Sequence, residues 1–382
     1  MSSSRFTDFK ARMGKFGLHF DERIQQRDNN GLLGMFASDY IPKGTVLTQF
    51  TLAQGIPISK EIDFSKTSRE DLVSNIKVVH SIARELSDST SVYKHFFEYC
   101  GDLSDRSNSV CFFELIDFES LAKLSPLLAN SAMVSRMQFD LITDGVSKAD
   151  PSLSADSITL AALISRERCW SEFGFMPGMD LFNHNAKSGL LPKKKTINGE
   201  NYVVYISEED IQKDEEIKIS YGAKDMYDFA TNYNFFDPND YKVIKFSQRI
   251  FPVVKDDLTL SVIKLLENKF RVHLIEHEGK KRIEILECGA YFLENRPNSE
   301  MLELASILAI SNEQELKNGR ACDRSISSYL LTVIDTMMRS NRISEYLIED
   351  VPDKLQMFYK VLLLEHEQLN RNRKFVSEMS KK

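Results

Sequence analysis

Apolar positions in this chain keep two rhythms, one of period two and one near 3.6, and they change in blocks. From about residue 14 to 56, short runs of strand character are separated by turns. Thr45-Val-Leu-Thr-Gln-Phe50 alternates and is β-branched, as a half-buried strand requires, and Asp39-Tyr-Ile-Pro42-Lys-Gly44 before it makes a turn. Gly31-Leu-Leu-Gly34-Met-Phe-Ala37 places two glycines where a backbone can take positive φ or come close to a ligand. Between about 60 and 170 helical spacing takes over: Leu72, Ile76, Val79 and Ile82-Ala83 share one face, with Ser68 as N-cap before Asp71. Further helices are expected over Ser91 to Tyr99, Glu119 to Phe139 and Ser157 to Trp170. From about 177 to 235 short strands return, Tyr202-Val-Val-Tyr-Ile206 and Ile217-Lys-Ile-Ser-Tyr221 being the clearest.

A helical block between two β-rich blocks implies one folded unit split by an insertion. The last 130 or so residues read as a separate helical module. A hairpin of Phe270 to Ile275 and Arg282 to Leu286 turns through Glu278-Gly279. Apolar stripes follow at Leu302, Leu304, Ile307 and Leu308, at Leu330, Leu331, Ile334 and Met337-Met338, and at Leu355, Phe358, Leu362 and Leu363. Arg371, Arg373 and Lys374 then suit a helix C-terminus.

Length supports this division, since 382 residues exceed what one compact core holds and two or three domains are expected. Hydrophobic content of 42% and charged content of 27% are those of a soluble globular protein, and 10 prolines with 16 glycines exclude a fibrous or low-complexity chain. There is no internal repeat and no apolar run long enough for a membrane span. Met1-Ser-Ser-Ser-Arg5 lacks the apolar core of a secretory signal and reads as a short polar lead-in. The five cysteines (Cys100, Cys111, Cys169, Cys288, Cys322) are scattered without a Cys-x-x-Cys pair, which excludes a zinc cluster or a disulfide framework. Buried apolar thiols in a reducing compartment are expected, hence a cytosolic or nuclear address. The net charge of −7 disfavours nucleic acid phosphates and suits a basic protein partner.

Candidate chemistry concentrates in Asp180-Leu-Phe-Asn183-His184 and, further on, Asp214-Glu-Glu-Ile-Lys-Ile-Ser-Tyr221-Gly222. Asn-His after an apolar segment makes a turn that offers backbone groups to a ligand, and the second stretch places a phenol at a strand end. Singly, each has an ordinary reading. Asn183 suits a turn, Tyr221 and Tyr233 suit core phenols with bonded hydroxyls, Arg166 suits a helix surface, and Lys193-Lys-Lys195 suits a solvated turn between strands. No glycine-rich strand–turn–helix signature of the Rossmann type is present.

In combination and in order, these motifs resemble the SET-domain lysine methyltransferases, in the branch of the Rubisco large-subunit and ribosomal-protein methyltransferases. Gly34-Met-Phe-Ala37 with Ile41-Pro-Lys-Gly44 is similar to the family's opening strand and turn. Asp180 to His184 resembles its Asp-Leu-x-Asn-His segment, Glu216 to Gly222 its acidic turn leading to tyrosine, and Asn232-Tyr233-Asn-Phe235 its closing Tyr-Gly-Phe. The resemblance implies an α+β class: an N-terminal SET part (1–58), a helical insertion (59–165), a C-terminal SET part with the active site (166–245) and a mainly helical substrate-binding domain (246–382). It also implies S-adenosyl-L-methionine as cofactor, held at Gly34, Met35, Asn183, His184 and Tyr221, with Arg166 of Ser165-Arg166 at the cofactor carboxylate and Arg168 the alternative register. Tyr221 would be the active-site tyrosine and Tyr233 the tyrosine closing the lysine channel. No metal is implied.

Three differences from the family pattern stand out. Leu32 takes the place of the first glycine of Gly-x-Gly, Asn234 that of the closing glycine, and Gly189 to Lys195 holds no third tyrosine. The expected activity is methylation of a lysine on a basic, non-histone protein, most specifically a ribosomal one. The enzyme is expected as a monomer in cytoplasm or nucleus, the nucleolus included, without membrane or direct nucleic acid binding. Two other readings stay open at this point: a non-catalytic SET-fold binding module, and a methyltransferase with another acceptor such as histidine.

Overall fold

Backbone pairing joins the two strand-rich blocks across the whole helical insertion. The computed structural model describes residues 3–29, 32–52, 72–91, 93–103, 109–170, 174–185, 188–222, 224–235, 244–245, 257–277, 279–286 and 289–381. Helix α1 (Ser3–Gly14) precedes strands β1 (Leu18–Phe20), β2 (Ile24–Asn29), β3 (Leu32–Ala37) and β4 (Val46–Thr51). Helices α2 (Val73–Ser87), α3 (Lys94–Leu103), α4 (Leu115–Leu124), α5 (Pro126–Ala149) and α6 (Ala155–Arg168) follow. Strands β5 (Cys169–Trp170), β6 (Gly174–Phe175), β7 (Lys193–Ile197), β8 (Glu200–Ile206) and β9 (Glu216–Ile217) lead to α7 (Met226–Asn232) and β10 (Ile244–Lys245). The remainder is α8 (Asp257–Glu267), the hairpin β11 (Arg271–His277) and β12 (Lys280–Leu286), β13 (Tyr291–Phe292), then α9 (Ser299–Leu308), α10 (Glu313–Asn318), α11 (Asp323–Ser340) and α12 (Gln356–Met379).

The chain forms two compact units, Met1–Arg106 with Met137–Ala223, and Ser107–Arg136 with Lys224–Lys382. These cut the chain elsewhere than the four segments that the resemblance implies. The boundary falls inside α5, and the end of the second β-rich block belongs to the second unit.

In the first unit a four-stranded antiparallel sheet has the order β1-β4-β8-β7, with Phe50 opposite Val203 and Gln49 opposite Val204. A second sheet, β2-β3-β9, likewise draws strands from both blocks. Helix α2 buries Ile76, Val79, Ile82, Ala83 and Leu86 along one face, as its spacing predicts. It starts at Val73, behind Leu72, and the expected cap Ser68 lies outside the described residues.

Four expectations are corrected here. The start of the chain is helix, not a polar lead-in: Phe6, Phe9 and Met13 recur at helical spacing and are all buried, Phe9 stacking on Tyr99 at 5.1 Å. The long helix expected over Glu119 to Phe139 is two helices. Ser125 breaks it by accepting the Leu128 N–H as an N-cap would, and Pro126 opens α5, where its missing N–H costs nothing. Lys193-Lys-Lys195 is strand β7 rather than a turn, its lysines exposed on the outer strand of the larger sheet. Finally, Cys100 and Cys111 are buried but Cys169 is only partly so and Cys322 is exposed, while Cys288 lies outside the described residues.

The second unit is mainly helical, and its hairpin turns where Gly279 takes φ 67°. Buried amides stitch α12 to its neighbours. Asn341 donates to the Leu362 carbonyl at 2.8 Å, Gln368 to that of Phe292 at 2.8 Å and Asn372 to that of Leu293 at 2.7 Å. Among the described residues no helix is long and apolar enough to cross a membrane, and no group of three His, Cys, Asp or Glu is placed to hold a metal.

Glu315 on α10 is a buried carboxylate that ties a loop to the start of α11. It accepts the backbone N–H of Cys322 at 2.9 Å and that of Ser311 at 2.9 Å, and these bonds lower its pKa from 4.5 to about 2. A folded-state pKa below the unfolded one gives stability that is present above about pH 4.5 and lost as pH falls through about 2. The variant Glu315→Gln is therefore expected to lower Tm at neutral pH, with the gap to wild type closing towards pH 2; thermal melts across that range check it.

Candidate active site

Strand β3 lies between β2 and β9, and its odd-numbered residues turn their backbone groups towards β9. The Ala37 N–H donates to the Glu215 carbonyl at 3.0 Å and Met35 stands opposite Ile217. Leu33 is next in this series, but β9 has ended. Its carbonyl instead accepts the side-chain amide of Asn183 at 3.0 Å. The same amide nitrogen donates to Glu216 Oε1 at 2.8 Å. Gly34 sits under this junction, where a Cβ would lie 2.5 Å from Glu216 Oε1 and 3.1 Å from Asn183 Nδ2. A Cβ at 34 would make the Glu216 carboxylate shift, and three distant segments meet there.

Beyond Asn183 the chain runs parallel to the segment leaving β9. Ile219 donates its N–H to the Asn183 carbonyl at 2.8 Å and accepts from the Asn185 N–H at 2.9 Å. A parallel bridge of this kind uses the groups flanking His184 and turns its own N–H and C=O to the other side. The imidazole has a structural task as well: Nδ1 accepts the Tyr221 N–H at 2.9 Å, which puts the ring proton of the neutral tautomer on Nε2. Tyr221 then folds back, its ring 5.0 Å from that of His184 and its hydroxyl donating to the Phe182 carbonyl at 2.9 Å.

The turn carrying these groups is anchored by Asp180, whose side chain is 1% exposed. Its Oδ2 accepts from Arg168 Nη1 at 2.8 Å and from the Cys100 thiol at 3.6 Å, and its Oδ1 accepts the Gly178 N–H at 3.0 Å. Burial works against the Arg168 charge, but Cys100, Asp180 and Glu167 outweigh it and raise the guanidinium pKa above its ordinary value. Burial, then the Asp180 charge, pushes the Cys100 thiol well up, so it remains a donor. Tyr205 of β8 is fully buried with its ring edge-on to Phe182 at 5.5 Å.

Gly34, Asn183, His184 and Tyr221 are thus brought together. Met35 is adjacent but wholly buried, its backbone facing β9. Arg168 faces the Asp180 turn; Arg166, two positions earlier on α6, is half-buried and about 200° away around the helix. Gly31 lies outside the described residues. Tyr233 belongs to the second unit, as the C-cap of α7, with its ring 5.4 Å from Phe229. Glu216 and the Arg168–Asp180 pair did not emerge from the motifs as site-building residues. A single carboxylate inside the apolar run Phe175 to Phe182 was the available signal for the pair, since a charge there requires a buried partner.

Residues 33–222 match the family model of the SET domain. The chain carries a SET domain. Its matched region begins inside β3 and ends at Gly222, next to the boundary of the first unit. Among curated proteins none matches significantly. Among solved structures, the SET domain of LSMT bound to lysine and AdoHcy is similar over 98% of this chain and 91% of that one, with 14% identity and a TM-score of 0.66. Rubisco LSMT bound to AdoMet is similar over 100% and 93%, with 15% identity and a TM-score of 0.61. At such identity the shared property is the fold: a SET β-fold split by a helical insertion, followed by a C-terminal helical region.

The variant Gly34→Ala is expected to push Glu216 and Asn183 apart while leaving the rest of the SET core intact. Calorimetry with S-adenosylmethionine should show an affinity loss of roughly tenfold or more, with an unchanged circular dichroism spectrum, if the Asn183 junction forms a binding site. Unchanged affinity would separate the junction from ligand binding.

Proposed function

We propose that this chain is an S-adenosylmethionine-dependent protein-lysine N-methyltransferase. The observation that carries the reading is the Tyr221 hydroxyl, whose proton is held by the Phe182 carbonyl beside the Asn183–His184 turn. With that proton engaged, the phenolic oxygen presents lone pairs to whatever lies against it. An acceptor of this kind suits the N–H of an amine and partial positive charge near a methyl group in transfer.

The residues of the turn fit the cofactor. Gly34 lets Glu216 and Asn183 close onto the β3 backbone, Glu216 is a partly exposed carboxylate paired with Lys218, and His184 turns its backbone groups away from the bridge. Gly34, Asn183, His184 and Tyr221 would hold S-adenosylmethionine, with Met35 backing Gly34 from the core. Of the two registers, Arg166 and Arg168, we favour Arg168 for the cofactor carboxylate: it faces the turn, and its buried Nε has no hydrogen-bond partner among the described residues. Bound there, the cofactor supplies an electrophilic methyl group on a sulfonium.

The acceptor lysine must arrive neutral, because an ammonium has no lone pair. From a pKa of about 10.4, deprotonation near pH 7 costs roughly 4–5 kcal/mol. Burial and a positive neighbour both lower that cost, so the proton can leave to water and no dedicated base is required. Tyr221 orients the amine through its oxygen, and Asp180 with Arg168 keeps the Phe182 carbonyl in place beneath it. Tyr233 is the second tyrosine we assign to the reaction. As acceptor we infer a basic ribosomal protein, supported by the branch resemblance and the net charge of −7; cytoplasm or nucleus follows as address, with the enzyme acting as a monomer.

Labelled S-adenosylmethionine and a ribosomal protein fraction test the reading. Wild type should label a lysine, identified by mass spectrometry, and Tyr221→Phe should slow labelling on the order of 100-fold while still binding the cofactor. Full activity of that variant would remove Tyr221 from the mechanism, and a labelled histidine would change the acceptor.

A further inference from the structure

Residues 342–354 form a strap along α4, both within the second unit. At one end the Arg342 N–H donates to the Leu124 carbonyl at 2.8 Å. At the other the Lys354 ammonium donates to Asp117 Oδ2 at 2.7 Å and to the Phe112 carbonyl at 3.4 Å. Strap and helix therefore run antiparallel. Between the two ties Ile343 and Val351 are buried as anchors, and the Tyr346 carbonyl accepts from the Tyr359 hydroxyl of α12 at 3.1 Å. The residues between Tyr346 and Val351 turn outward. Leu347 is 61% and Ile348 41% exposed, and the turn Ile348–Asp350 buries none of its three residues. At the start of α4, Leu115 is 71% and Ile116 59% exposed.

A single exposed leucine is ordinary, but two adjacent apolar pairs on neighbouring segments are not. Removing them from water is favourable, and the fold leaves that gain unused. Their surroundings say what covers them. Helix α4 and its N-cap carry Glu119 and Glu114, and the strap carries Glu345, Glu349, Asp350 and Asp353, all exposed, against the exposed cations Lys123 and Arg342. The third cation of these segments, Lys354, is engaged by Asp117. Apolar side chains inside an acidic rim repel anionic lipid, nucleic acid phosphates and a second copy of the same patch. They complement a segment that is apolar and basic on one side. An amphipathic basic helix meets both needs: its apolar face covers Leu115, Ile116, Leu347 and Ile348 while its flanking ammonium groups reach the acids.

We propose that the surface made by α4 and the strap is a docking site for a basic, amphipathic helical segment of a partner protein. This goes beyond the methyltransferase reading and does not rest on it, because docking is measured without turnover. The apolar pairs supply the binding energy, and the acids select the partner and set its rate of encounter.

The probe is a fluorescent helical peptide with leucines on one face and lysines on the other, read by anisotropy with the full chain. One control peptide has the same composition in shuffled order, and a second has glutamates in place of the lysines. Wild type should bind the probe with a Kd in the micromolar range and each control at least about tenfold more weakly. Leu347→Ser with Ile348→Ser, and separately Leu115→Ser with Ile116→Ser, should each weaken binding on the order of tenfold at an unchanged Tm. Glu349→Lys with Asp350→Lys should weaken it similarly and flatten its dependence on salt. Leu141→Ser, at an exposed leucine of α5 in the first unit, should bind as wild type does. Equal binding of the shuffled peptide, or wild-type affinity in both serine pairs, would overturn the proposal. So would binding to phosphatidylserine vesicles that the serine pairs abolish, or a dimer in sedimentation that they dissociate. Should one serine pair not fold, the other pair and the charge reversal carry the same comparison.

Discussion

The candidate site depends on a strand that stops early. Were β9 to continue past Ile217, its backbone would take the Leu33 carbonyl and the two segments would simply extend a sheet. Because it stops, that carbonyl goes to Asn183, from a segment 150 residues away, and the same amide reaches Glu216, 33 residues further on. One amide group thus closes three chain segments over Gly34. Unsatisfied backbone groups are costly in a buried setting, so a missing ladder bond becomes a strong constraint on where the Asn183–His184 turn must lie.

That turn has a second support from the helical insertion. Arg168 at the end of α6 and Cys100 of α3 converge on the Asp180 carboxylate, so the insertion braces the loop that the strands position. Removing one member of such a buried pair leaves an uncompensated charge, which makes the arrangement stiff. Phe182 lies between Asp180 and Asn183, and its carbonyl is where the Tyr221 hydroxyl comes to rest. Phenol, turn and brace therefore form one continuous chain of bonds.

The sequence made part of this legible. Strand β8 and helix α2 follow from alternation and from helical spacing, because one face of each is buried and the pattern records it. The proximity of Asn183 to Tyr221 was legible only through the order of motifs, since the bridge at His184 and Ile219 has no local signature. Helix α1 was missed because serines and charges mask its three buried apolar residues. The break before α5 was missed because Ser125-Pro126 sits in an otherwise continuous helical stripe. Periodicity reports which face is buried but not what covers it. Pairs such as Arg168 with Asp180, or Lys354 with Asp117, therefore appear only once the fold places them together.

Strand β7 carries a further implication. Lys193, Lys194 and Lys195 run along the outer rim of the larger sheet, with β8 as the one paired neighbour among the described residues, and Lys193 meets Glu208 at 3.0 Å in an exposed pair. A rim of this sort is an invitation to foreign strands, and consecutive ammonium groups repel a second copy of the same rim. Consecutive charges on an outer strand have a consequence for assembly: a second copy of the same rim meets like charge before its backbone can pair.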